Sequence, residues 1–516
     1  MSSRPARLTT SVAALVAGAM AMPLVYLVIR ATEAKDPAGL VFSERVLELV
    51  WNTLRLAATV SAAAVIIGLG SAWVLERTDV PARRFLGVAA ALPLAVPSYI
   101  AALALVSAFG PGGDLFVIPG LIGFWGAAGV LTLSTYPYVL LVTRAALSSS
   151  EPAVDDAAIT LGLHRIRRFG RAQFPQVRGA VTASALLSAL YVVSDFGAVT
   201  ILRYGTLTRG IFLEYRSSFD RSAAAMISLV LVLFTLGLIV AERRARGPAA
   251  SLRHSSARRH RRVALGRWRL LATAVVAAPA LLGAGIPLMI AVSWLQKGAR
   301  ASSGNDVLPM AAATSAGLSM AAAVAAVVLC LPVAMLAARR STWIVRLIEG
   351  GALAGYALPG LVVALSLVFL ATRAAPFAYQ TVGLVVAAYV IRFMPEALAS
   401  ARPSLASVDT SLTDASRTLG GSRWETAMRV TWPMVRGGLF AGGALVFLTS
   451  MKELPATLLL RPAGVDTLAI RVWTGASEGF YAQAAPAALL LLGVSALALL
   501  PMWRAGASAW RTANDG

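Results

Sequence analysis

DDAAITLGLHRIRRFGRAQFPQVR, residues 155–178, is a polar, basic stretch set between long apolar runs. TDASRTLGGSRWETAMRVTWPMVR, residues 413–436, repeats it further along the chain. Working outward, Pro137 matches Pro395, Arg144 matches Arg402, Asp156 and Ala157 match Asp414 and Ala415, Gly162 matches Gly420, Pro175 matches Pro433 and Arg203 matches Arg461, every pair 258 positions apart. Further upstream the offset is 262, pairing Arg77 with Arg339 and Pro97 with Pro359, so the first half holds four extra residues between Pro97 and Pro137. A fixed offset that runs through loops and apolar segments alike marks a duplicated unit.

The surroundings of the repeated stretch decide the solvent. The chain of 516 residues is 58% hydrophobic and 14% charged, with a mean hydropathy of +0.73, whereas soluble domains carry about 25% charged residues. A helix rises about 1.5 Å per residue, so about 20 apolar residues cross a bilayer core. The apolar runs do not alternate as barrel strands do. The fold class is therefore an all-α polytopic membrane protein. About twelve spans are expected, near 10–30, 52–75, 85–108, 119–144, 179–202, 222–241, 270–292, 310–338, 345–371, 376–400, 437–460 and 484–503.

The net charge of +22 comes almost wholly from arginine in alternate connections. That is the positive-inside pattern, and it puts both termini and the polar loops in the cytoplasm. Nucleic acid is not an expected partner, because no stacking aromatics interleave with the basic runs. Membrane lipid is. Residues 1–241 form a first six-span repeat with its loop at 150–178, and residues 270–516 a second with its loop at 401–436. Residues 242–269 form an arginine-rich linker, read as solvated beside anionic lipid. Six spans per copy give parallel repeats. The apolar stretch after Arg4 and Arg7 is too long for a signal peptide and is read as a retained first helix. Cys330, the single cysteine, is a packing residue. His164, His254 and His260 fall in basic loops, outside every expected span. Pro97 and Pro359 read as shared helix kinks. Arg144 and Arg402 read as snorkelling cations, and Trp51, Trp424, Trp473 and Trp503 as interfacial anchors.

The repeated loop has its own chemistry. Asp155 and Asp156, or Asp414, open a short helix at its positive dipole end. Small residues follow at Ala157 and Ala158, or Ala415 and Ser416, and allow close approach of another surface. Gly162 and Gly420 permit a positive φ that ends the helix. Pro175 and Pro433 suit the first turn of the next span. The pattern acidic–Ala–Ala/Ser, three residues, Gly, and an aromatic before Pro resembles the EAA loop of ABC-importer permeases of the type I, MetI-like fold. That resemblance implies two coupling helices, each set in a cleft of one of two ATPase subunits, and a substrate-binding protein on the outer face of a bacterial inner membrane. A P-loop needs lysine after glycine and before serine or threonine. Lys35, Lys297 and Lys452 are the only lysines and none fits, so no nucleotide is expected on this chain and ATP with Mg²⁺ belongs to the partner. The chain is read as a transport subunit, not an enzyme. The rival is a twelve-helix secondary transporter, which predicts charged sites near mid-membrane.

Beyond the loop, Asp195 matches Glu453 at the same offset. Each lies about 24 Å up its span at helical rise, in the outer part of the membrane, where ionisable residues usually have a functional or pairing role. The wording MKELPATLLLRP (451–462) and DTLAIRVW (466–473) resembles permeases of the ferric-iron uptake family, with thiamine, polyamine, phosphonate or sulfate carriers as alternatives. Hard carboxylate ligands suit Fe(III), so Asp195 and Glu453 are candidate path residues, and no metal site is assigned with certainty. In the plainer reading each acid meets Arg203 or Arg461 after a bend at Gly197 or Pro455 and only braces the turn.

Overall fold

The computed structural model describes residues 4–33, 36–217, 222–246, 262–300, 307–339 and 342–497. Lys35, His254, His260, Trp503, most of the linker and the end of the second repeat lie outside the described residues. Among the described residues the chain is helical and forms no strand. Nine helices among the described residues are long and apolar enough to cross a membrane: Leu8–Thr32, Glu44–Arg77, Phe124–Ser148, Phe169–Ser194, Ser222–Ala245, Gly266–Gly298, Leu308–Ala338, Val382–Ala406 and Trp424–Met451. Each overlaps an expected span, although Phe169–Ser194 and Trp424–Met451 begin and end well before the expected 179–202 and 437–460.

The other three expected spans are broken or short, and two have a physical reason. Around Pro97 the chain runs as Arg83–Ala95, then bends by 89° into Ser98–Phe109. Val96 is extended and Pro97 sits at the N-cap. Pro359 does the same after the turn Ala354–Ala357, with Leu358 extended and Gly360–Ala374 following. The two prolines therefore break their spans outright and are not mild kinks. Proline has no N–H to give and pushes the residue before it out of helical geometry. Tyr481–Leu497 is shorter than a full span as far as it is described.

Proline also shapes the loops' return. Pro175 and Pro433 stand in the first turn of Phe174–Ser194 and Trp432–Met451, as expected, but that turn is not a free helix start. Helix enters earlier, at Arg165–Arg168 and Arg423–Thr426, and runs through one π-turn, Phe169–Gln173 or Ala427–Thr431, directly into the span. Phe174 N–H reaches back five residues to the Phe169 carbonyl. Widening the turn relieves the clash between the proline ring and the preceding turn. A third π-turn, Leu281–Gly285, precedes Pro287 in the same register.

The described chain divides into two compact units. One comprises the described residues within Ala38–Leu213, Leu233–Ser303 and Gly475–Gly516. Its centre is the helix Glu44–Arg77 against Phe124–Ser148 and Phe174–Ser194, with Ala64, Ala72, Leu75, Tyr136, Val139 and Leu140 buried together. Gly68 brings two backbones close: a Cβ there would stand 2.7 Å from Val139 Cβ and 2.8 Å from the Tyr136 carbonyl. Tyr136 donates its hydroxyl to the Ala90 carbonyl at 2.9 Å. Ile286–Arg300 and Tyr481–Leu497 pair in this unit, with Trp294 stacked on Tyr481.

The other unit comprises the described residues within Met1–Pro37, Glu214–Val232 and Gly304–Thr474. Leu308–Arg339, Val382–Ala406 and Trp432–Met451 form its centre, and Arg4–Thr32 packs onto Leu308–Arg339, Trp343–Ala352 and Gly360–Ala374. Cys330 is buried here and bonds the Val327 carbonyl. Each unit thus takes its opening helix from the other sequence repeat.

Candidate functional site

The repeated loops fold as two short helices, Pro152–Thr160 and Thr410–Thr418, in register at the sequence offset. Proline at the first position starts one. Asp409 caps the other, accepting from Ser411 N–H at 2.9 Å. Those backbone and hydroxyl bonds hold the Asp409 carboxyl below its ordinary range. Both helices end alike. Leu163 N–H returns to the Ala158 carbonyl and Gly421 N–H to that of Ser416, with Gly162 at φ 70° and Gly420 at φ 86°. Only glycine takes that conformation freely.

Several loop residues sit differently from the expectation. Asp156 and Asp414 are each the fifth residue of their helix and do not open it. Only Asp155 lies in a first turn. Ala157 and Ala415 face outward, whereas Ala158 is buried and Ser416 turns in to bond Thr426 Oγ1 at 3.0 Å. What the helices do present is an apolar tip, with Leu161 78% and Leu419 88% exposed. Sequence reasoning passed over these leucines, although the repeated Thr–Leu–Gly triplet carries them.

The first short helix is anchored from below. Arg77, at the end of Glu44–Arg77, places Nη1 3.2 Å from Asp155 Oδ2. Its Nη2 donates to Ser150 Oγ at 2.7 Å and to the Leu147 carbonyl at 3.2 Å. One buried guanidinium thereby ties the short helix to the ends of two spans. The residue matching Asp155 in the second copy is Thr413, which cannot form an ion pair. The linker exit docks beside this anchor. Val263 bridges Thr78, Leu265 N–H donates to Asp79 Oδ1 at 2.8 Å, and Arg269 pairs with Asp79 Oδ2 at 2.5 Å. Those bonds, Arg269 foremost, hold the Asp79 carboxyl below its ordinary range. Arg144 and Arg402 do more than snorkel: Arg144 pairs with Glu76 at 2.6 Å and Arg402 with Glu349.

At the far end of the same spans, Asp195 and Glu453 are both buried. Each carboxylate accepts from the backbone of the short helix that follows. Asp195 Oδ1 takes Ala198 N–H at 3.0 Å, and Glu453 Oε1 takes Ala456 N–H at 3.2 Å. Their remaining partners differ from those expected. Asp195 accepts from Ser98, while Arg203 is exposed in the left-handed region at φ 55°. Glu453 pairs with Arg392 at 2.8 Å, and Arg461 pairs instead with Asp466. Gly197 is there for packing, since its Cβ would meet Tyr99 Cβ at 2.6 Å, and Pro455 opens the helix Pro455–Leu460.

Around Glu453 lies a charge cluster that the sequence reading missed. Arg392 and Glu396 stand in the middle of Val382–Ala406. Thr449 Oγ1 donates to Glu396 Oε2 at 3.0 Å, and Lys452 lies within electrostatic reach of Glu396. These groups lie within or at the end of spans that the sequence reading did not single out for charge. Among the described residues no three His, Cys, Asp or Glu gather to hold a metal ion.

Residues 64–246 and 330–508 each match the family described as binding-protein-dependent transport system inner membrane component. Over 501 residues the chain is 32% identical to the Fe(3+)-transport system permease protein FbpB 2 of Haemophilus influenzae, covering 95% of this chain and 97% of that protein. A probable ABC transporter permease protein, y4fN, of Sinorhizobium fredii is 26% identical, covering 89% of this chain and 87% of its own. The sulfate transport system permease protein CysT of Salmonella typhimurium is 29% identical over 185 residues, covering 34% of this chain and 67% of that protein.

Proposed function

The chain belongs to the binding-protein-dependent transport system inner membrane components, as an ABC-importer permease with two copies of the family domain, and on that premise we propose that its cargo is Fe(III). The likeness that supports iron is the relative from Haemophilus influenzae, which matches nearly end to end and is named for Fe(3+) transport. Partial matches to sulfate and molybdenum permeases support the second reading, an oxyanion as cargo. A binding protein on the outer face delivers the ion, and the arginine-rich connections and both termini face the cytoplasm of a bacterial cell.

Two short helices with one geometry carry the coupling reading. Each offers an exposed leucine at a tip fixed by a positive-φ glycine, which is what a groove on a partner grips. The partner is a pair of separate ATPase subunits that hold ATP and Mg²⁺. Their closure pushes on Asp156, Ala157, Leu161 and the matching residues, and the continuous helix through Pro175 or Pro433 carries that push into the span. Uptake of radiolabelled Fe(III) by cells carrying the intact system, set against labelled sulfate, tests the cargo. Co-purification of an ATPase that is lost on Leu161→Asp with Leu419→Asp tests the coupling. Uptake driven by a proton gradient in ATP-free vesicles refutes the coupling reading.

A further inference from the structure

The two halves satisfy the same buried carboxylate in different ways. In the first, Ser98 donates to Asp195, and position 134 is serine. In the second, the matching positions are Gly360, Arg392 and Glu453, and Arg392 Nη1 donates to Glu453 Oε1 at 2.8 Å. A Cβ on Gly360 would stand 1.5 Å from that nitrogen, so losing the serine side chain is what admits the guanidinium. The neighbouring pair repeats the pattern. Tyr138 and Ser194 in the first half correspond to Glu396 and Lys452 in the second. Three ionisable groups thus stand where the other copy has neutral ones, and the shared fold closes without them. Replacing buried ion pairs by neutral groups is often harmless to stability, so stability does not explain them.

Their setting points to a use. Arg392, Glu396, Thr449 and Lys452 are half-buried and not sealed in the core. Charge within the membrane is too costly to face lipid, so it faces protein or a water-filled route. We propose that Arg392, Glu396, Lys452 and Glu453 form an ion-handling station on the translocation path, whose ligand is a hard, multiply charged cation held through oxygen. This rests on reading the chain as a cation importer. Each carboxylate is shared between its internal cation and the passing one. Free carboxylates would trap a trivalent ion. Carboxylates that hold guanidinium and ammonium partners bind it weakly enough to let it leave, as conduction demands.

The test uses the full chain with the ATPase and binding protein of its own system, in cells lacking other iron uptake. One variant carries Glu396→Tyr with Lys452→Ser. The other carries Gly360→Ser with Arg392→Ser and Glu453→Asp. Both install the residues of the first half, which that half already accommodates. Initial uptake of radiolabelled Fe(III) should fall at least about tenfold in each, with membrane level and ATP hydrolysis retained, because the first variant removes the Glu396 carboxylate with its cation and the second leaves the carboxylate at 453 without its guanidinium partner. Uptake within about twofold of wild type in both overturns the station. If either variant fails to reach the membrane, the isosteric Glu396→Gln is held to the same threshold. If the wild type carries another ion and not iron, the iron reading falls, and the same variants measured with that ion decide the station by itself.

Discussion

Replacing Asp155 by alanine removes the anion beside Arg77. The guanidinium is 3% exposed, the carboxylate 13%, and the pair stands 3.2 Å apart. At an effective dielectric of about 20, unit charges at that distance attract by about 5 kcal/mol. Desolvation offsets part of this, and truncating one partner of a buried pair costs about 3–5 kcal/mol. Arg77 keeps Ser150 and the Leu147 carbonyl, so the lower end, about 3 kcal/mol, applies. If the short helix Pro152–Thr160 opens locally, that is on the order of 100-fold in its opening equilibrium. Hydrogen exchange on the full chain in lipid nanodiscs reads it directly. Amides of Leu161, Gly162 and Leu163 should exchange about 100-fold faster. Thr413→Ala should leave Leu419, Gly420 and Gly421 within about threefold of wild type. Adding Arg77→Met to Asp155→Ala should restore much of the protection, since no charge is then left buried alone. Unchanged protection in Asp155→Ala, or an equal loss in Thr413→Ala, would refute the idea that one short helix is tethered more firmly than its twin.

Other outcomes follow from the same coordinates. Gly420→Ala should destabilise the solubilised chain by about 1–2 kcal/mol through its positive φ alone, since nothing lies within 4 Å of the added Cβ; Gly420→Asn should cost less, and thermal unfolding separates the two. Gly68→Ala should cost about 1–3 kcal/mol by overpacking, because its Cβ overlaps Val139 and the Tyr136 carbonyl. Leu161→Asp with Leu419→Asp should abolish ATPase capture without lowering the melting temperature, since both tips are exposed. Asp79 has a depressed pKa, so its contribution to linker docking is complete above the ordinary carboxyl value of 3.8 and is lost as pH falls through the lower folded value. Protection of the Leu265 amide should therefore hold from neutrality down to about pH 4 and fall below it, and Arg269→Ala should weaken that protection at neutral pH.

Span positions, the duplication and the glycine-ended short helices were legible in sequence, because apolar length and a fixed offset are one-dimensional signals. Pro97 was visible, but the difference between a kink and a break lies in the extended Val96. The π-turns were not legible, since nothing in Phe169–Gln173 marks a widened turn until Pro175 is seen inside a continuous helix. Asp195 and Glu453 were found by the offset, yet their partners were not. Eight residues along the chain suggested Arg203 and Arg461, whereas Ser98 and Arg392 come from other helices. Arg392, Glu396 and Lys452 lack counterparts in the first half, so a search for what the repeats share passed over them.

That each unit draws its opening helix from the other repeat has a consequence for biogenesis. Arg4–Thr32 leaves the ribosome long before its packing partners, which begin at Leu308. At about 5–20 residues per second, that is a wait of roughly 15–55 s in the bilayer. During it the nascent helix needs lipid, an insertase or a chaperone against the face that carries Ala13, Val16, Ala17, Met20 and Leu27, and severing the chain between the repeats would leave two fragments that mature only by finding each other.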